Sequence, residues 1–131
     1  MSELPSQRFR NGSMRCGDAV KDALREALKK SGLSREVVAD EMSRLLGENI
    51  GTNQINNWAA PEKKDRRIPM EYVGALSVVL NDISVAQTAL DPANMLALSE
   101  KQAPIYRLGE ITAEEKERRK EKKEIMEAIR G

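Results

Sequence analysis

Residues 51–69 read GTNQINNWAAPEKKDRRIP, and the reading of this stretch decides the fold. Five amide or hydroxyl side chains, Thr52, Asn53, Gln54, Asn56 and Asn57, crowd around one isoleucine and the only tryptophan. As a loop, this is ordinary polar composition. As a helix from residue 52 to 59 or 60, Ile55 and Trp58 stand three residues apart on one face and the amides fill the other. Thr52 is the expected N-cap, and Pro61 the expected stop, because the residue before a proline avoids helical angles. Asparagine is a poor helix former, so three of them in about one and a half turns cost stability without aiding packing. A role for their side chains outside the fold accounts for that cost.

The flanking sequence is helical on both sides. Upstream, Val20, Ala23, Leu24, Ala27 and Leu28 recur at three- and four-residue spacing, Lys29 and Lys30 suit the negative end of the helix dipole, and Gly32 follows as a stop. Ser34 is the expected N-cap of a second helix, SREVVADEMSRLLG, with Val37, Val38, Met42, Leu45 and Leu46 on its apolar face and Gly47 at its end. Downstream, EKKDRRI is a loop, and Pro69 fits the first position of a fourth helix with Met70, Val73, Leu76 and Leu80 facing inward. A fifth helix is expected over residues 84–90 and a sixth after Asp91-Pro92. Residues 101–111, which include Pro104 and Gly109, are expected to form an irregular linker. Thr112 and Glu115 make a capping box that opens a charged C-terminal helix over residues 112–131. Residues 1–16 lack periodicity and are expected to be a flexible, mildly basic arm; the helical domain then spans residues 17–100.

Composition limits the classes open to such a chain. The 131 residues carry a net charge of +1, so attraction to a polyanion must come from a local patch. Only four residues are aromatic, and the core must rest on aliphatic side chains, as packed helices allow. The single cysteine, Cys16, rules out an intrachain disulfide and fits a reducing cytoplasm as an incidental thiol. Histidine is absent, which removes the commonest general base and metal ligand. No nucleophile–base pair, glycine-rich phosphate loop or metal spacing is present. The expectation is a cytoplasmic protein that is not an enzyme, with no cofactor, no metal, no membrane span and no small-molecule substrate.

Three helices over residues 18–31, 34–46 and 52–59 with short links meet the requirements of a helix-turn-helix. In that arrangement the second helix crosses the DNA backbone and the third enters the major groove. Asn and Gln can pair with the N6 and N7 edge of adenine, and Thr can bond a base or touch the thymine methyl. The candidate base contacts are therefore Thr52, Asn53, Gln54, Asn56 and Asn57. Lys63, Lys64, Arg66 and Arg67, a solvated loop if taken alone, become candidate phosphate contacts beside such a helix. Arg35 is either a further phosphate contact or a plain surface charge.

The stretches SREVVADEM, INNW and RIPMEYVGALSVVL resemble the lambda-repressor-like helix-turn-helix family, which includes phage and prophage regulators, over residues 18–82. In the resemblance Ser34 opens the second helix, Ala39 takes the place of a small residue at a close helix contact, and INNW ends the recognition helix. The chain departs from the family in SRLLGEN, which lies between Met42 and Ile50 and is about six residues longer than the usual turn. Either the second helix runs longer or the turn bulges. The resemblance implies an all-α, lambda-repressor-like helical bundle with an extended second helix or turn, plus the charged C-terminal helix. It also implies a transcriptional regulator that binds double-stranded DNA as a homodimer or higher homo-oligomer, since one domain reads about half a site. The alternative is a phage-type assembly or DNA-packaging adaptor that uses the helix-turn-helix and the C-terminal helix to form an oligomer. The tail itself admits a solvated helix held by opposite-charge pairs such as Glu114–Arg118, Glu115–Arg119, Lys120–Glu124 and Lys123–Glu127, a DNA contact, or an oligomer contact.

Overall fold

Every regular element that these residues form is helical. The computed structural model of the chain describes residues 4–131, which contain six α-helices, two 3-10 turns and no strand. The first three residues of the arm expected at 1–16 lie outside the described residues. The remainder of that arm carries a 3-10 turn, Pro5–Arg8, in which the Gln7 side-chain oxygen accepts the Leu4 N–H at 2.6 Å. The chain divides into two units, Met1–Ala97 and Leu98–Gly131.

In the first unit, α1 (Gly17–Ser31) ends at Gly32, whose φ of 69° is the left-handed conformation that glycine adopts without strain. Its apolar row buries Leu24, Ala27 and Leu28. α2 (Arg35–Leu46) starts as expected at Ser34, whose hydroxyl accepts the Val37 N–H at 3.1 Å, and stops at Gly47 with φ 67°. Val38, Ala39 and Met42 form its buried stripe, while Leu45 falls on the flank of that stripe and Val37 nearly opposite it, and both are exposed. α3 (Thr52–Ala59) buries Ile55, Trp58 and Ala59. Its N-cap is Gly51 rather than Thr52, because the Gln54 side chain reaches back to accept the Gly51 N–H at 2.8 Å.

α4 (Met70–Leu80) follows Pro69, which stands just before the first helical residue and not within it. Leu76 and Leu80 are buried, but Met70 is 90% exposed. Ten residues of helix place Met70 about 80° from Leu80, at the end where the chain arrives from an exposed loop. α5 (Ser84–Leu90) is fastened by Asp82, whose carboxylate accepts both the N–H and the hydroxyl of Ser84. α1 packs on α3, α4 and α5, α2 packs on α3 and α4, and α4 also meets α5. Twelve buried apolar side chains of these helices and Ile50 of the link between α2 and α3 form one core among the described residues.

The sixth helix expected after Asp91-Pro92 shrinks to one 3-10 turn, Asp91–Ala93, which Asn94 stops with φ 58°. The Gln87 amide supplies the bonds that a helix would have supplied. It donates to Asp91 Oδ1 and to the Met95 carbonyl, and it accepts the Ala97 N–H at 2.8 Å.

The second unit corrects the expected linker at 101–111 and the helix start at 112, since one helix, α6 (Gln102–Arg130), runs through both. Pro104 is its third residue, where a missing N–H costs no hydrogen bond. Gly109 lies in its interior, at a cost of about 1 kcal/mol that a 29-residue helix absorbs. Thr112 is therefore no cap, and its hydroxyl donates to the Leu108 carbonyl inside the helix. The four expected ion pairs do not close. Those that form on α6 are Arg107–Glu110 at 3.7 Å and Arg107–Glu114 at 3.9 Å, as suits exposed chains that gain little from pairing. None of the helices is long and apolar enough, within the described residues, to cross a membrane.

Candidate nucleic-acid interface

The long link between α2 and α3 is tied down by two hydroxyls, those of Ser43 and Tyr72. Ser43, in the last turn of α2, accepts the Ile50 N–H at 2.9 Å, and its oxygen lies 2.7 Å from the Ala39 carbonyl and 3.1 Å from that of Ile50. Ile50 itself is buried. The extra residues thus lengthen α2 to Leu46, turn at Gly47 and return to the helix that they left. Tyr72 on α4 holds the same link from the other side by donating its hydroxyl to Glu48 Oε2 at 2.6 Å. The Tyr72 ring meets that of Trp58 with centroids 5.7 Å apart, so the link and α3 lean on one aromatic pair.

The other end of α3 is held by Lys21, a residue absent from the sequence reading. Lys21 is 2% exposed, and its ammonium donates to the carbonyls of Asn57 (3.0 Å), Trp58 (3.1 Å) and Arg66 (2.5 Å). A cation at the C-terminal carbonyls answers the helix dipole, and the third bond draws in the basic loop over residues 61–67. Burial pushes the pKa of Lys21 below the usual lysine value, and Arg67 adds to this, while Asp65, Glu62 and Asp18 oppose it. A signal for Lys21 did exist. It occupies the row of Leu24 and Leu28, three and seven residues on, so a cation stands where the helix faces the core.

Held at both ends, α3 turns its amides outward. Asn53, Gln54 and Asn56 are exposed, and Thr52 and Asn57 are half-buried. Each amide has a different setting. Gln54 is occupied by its cap. Asn56 Oδ1 accepts from Arg35 Nη1 at 2.8 Å, and Asn57 Oδ1 accepts from Lys63 Nζ at 2.8 Å. In both, the amide keeps its Nδ2 donors and one carbonyl lone pair. Among the described residues, the Thr52 and Asn53 side chains take part in no intramolecular hydrogen bond.

Lys63, Lys64, Arg66 and Arg67 are exposed and Arg35 is half-buried, and the five do not share one role. Arg35 and Lys63 belong to the amide face through those bonds. Lys64 lies 3.6 Å from Asp18, and Arg67 donates from Nε to the Lys64 carbonyl at 2.9 Å. The Arg67 guanidinium also lies against Gly17, where an added Cβ would come within 2.6 Å of its Cζ. Arg66 contributes a carbonyl to Lys21 and leaves its side chain exposed. The arrangement is a helix face with amide donors and acceptors, bordered by cations from α2 and from the following loop.

A cavity of about 1160 Å³ opens beside this surface, with Val20, Trp58, Val73 and Val85 among its apolar walls and Lys64 and Arg67 among its polar ones. Among the described residues, no group of three His, Cys, Asp or Glu side chains could hold a metal. Comparison of the chain with protein-family models, with curated proteins and with solved structures finds no match.

Proposed function

We propose that the chain is a sequence-specific DNA-binding regulator of the lambda-repressor-like helix-turn-helix kind, with α3 as its reading helix. One observation carries this reading. A short helix whose asparagines oppose helix formation is nevertheless fixed at both ends, by Ser43 and Tyr72 through the link and by Lys21 at its last carbonyls, so that the amides are aimed outward beside a cationic border. That geometry suits base edges bordered by phosphates.

The bonding pattern sharpens the roles of the residues. Asn53 and Asn56 are the principal base readers, Thr52 assists from the first turn, and Gln54 serves the helix start. Arg35 and Lys63 orient Asn56 and Asn57 as well as lending charge. Lys64, Arg66 and Arg67 serve the backbone. Two copies would read a two-fold site, because one such domain covers about half of it.

Selection of bound sites from a random duplex pool tests the proposal. Enrichment of a palindromic site is the expected result, and retention of no sequence above background would overturn it. Asn53→Ala should relax preference at individual positions at roughly 1–3 kcal/mol per lost contact. Lys64→Ala should weaken all sequences alike and lower the salt slope by about one.

A further inference from the structure

α6 leaves apolar side chains uncovered at both ends. Ile105 (73% exposed), Leu108 and Ile111 stand near its start, and Ile125, Met126 and Ile129 (79%) near its end. The span between them is charged, and no residue of the helix is buried. Ile105, Leu108, Thr112, Glu115, Arg119, Lys122, Met126 and Ile129 follow one another at alternating steps of three and four, the seam of a two-helix coil. This seam is apolar at both ends and charged at the centre.

The geometry points to a second copy of the chain as the occupant of this seam, with the two α6 helices antiparallel. In that orientation Ile105 meets Ile129 of the other copy, Leu108 meets Met126, Thr112 meets Lys122 and Glu115 meets Arg119, and each layer occurs twice because the pair is two-fold. Ile111 and Ile125 also come together beside the seam. A parallel pair covers the same apolar ends but stacks Glu115 on Glu115, Arg119 on Arg119 and Lys122 on Lys122. Like charges opposed across a helix pair repel, so charge complementarity selects the antiparallel form. Glu115 and Arg119 are free to cross, since within one chain neither forms an ion pair among the described residues. This inference does not depend on the DNA-binding proposal.

Cross-linking of the full chain tests it, in a Cys16→Ser background that removes the only native thiol. Ile105→Cys and Ile129→Cys chains are made separately. The two positions lie 24 residues apart, about 36 Å along the helix. Mild oxidation of the mixture should give a covalent heterodimer, while either chain alone should stay uncross-linked. Cross-linking of the Ile129→Cys chain with itself would overturn the orientation. Sedimentation of the unmodified chain should show a monomer–dimer equilibrium, with dissociation more than about tenfold easier in Ile129→Asp. A monomer at every concentration, or a closed ring of more than two copies, would overturn the inference. DNA selection reads the other proposal separately, because a monomeric domain can still enrich a half-site.

Discussion

α3 and α6 are both polar helices, and they are held in opposite ways. The 8 residues of α3 place three side chains in the core, whereas the 29 residues of α6 place none. α3 is too short and too rich in asparagine to persist by itself, so its order comes from Ile55, Trp58 and the groups that grip its ends. α6 is long and rich in Glu, Lys and Arg, and propensity sustains it without packing. The comparison separates two kinds of surface polarity. In α3, side chains unfavourable to a helix are fixed by tertiary contacts, and the proposed base-reading role rests on that cost. In α6, side chains favourable to a helix need no such explanation, and only its apolar ends do.

Removing the anchor should expose this difference most strongly. Trp58→Ala should cost the first unit about 3–5 kcal/mol and lower its melting temperature, while the far-ultraviolet signal retains a helical remainder from α6. A loss of all helical signal in one step would break the comparison. Lys21→Met comes next. It leaves the carbonyls of Asn57, Trp58 and Arg66 without their donor, at a cost of roughly 1–3 kcal/mol in denaturant unfolding, and it should blunt DNA selectivity by freeing the end of α3.

The same residue gives a pH signature. Its pKa is lower in the folded chain than in the unfolded one, so between those two values the unfolded state binds more protons and stability rises with pH. Lys21→Met should abolish that alkaline rise, as stability measured across the range would reveal. Ser43→Ala should cost about 1 kcal/mol by leaving the buried Ile50 N–H without its acceptor. The smallest effect belongs to α6. Gly109→Ala, at a site with open space for a Cβ, should stabilise that helix by about 0.8–1 kcal/mol, raising its helicity and leaving the first unit's melting unchanged.

Much of the first unit was legible because its signals are local. Ser34, Gly32 and Gly47 mark helix ends by hydroxyl capping and left-handed geometry, and the spacing of Ile55 and Trp58 marks the inner face of α3. The misreadings came where a distant or competing group decided. Gln87 replaced the bonds of an expected helix after Asp91, and Gln54 took the cap assigned to Thr52. Pro104 and Gly109 looked like breakers, yet a proline in the first turn loses no bond, and one glycine is outweighed by a long run of good formers.

The sequence by itself determined that the regular structure is helical, where the first five helices lie and that α3 is polar on one face, because periodicity and caps act within a few residues. Tertiary structure decided which amides are free and which are held. Asn56 meets Arg35 from 21 residues away, and the end of α3 meets Lys21 from 36 and 37. Such partners are set by the packing of α1 and α2 on α3, and no local spacing encodes them.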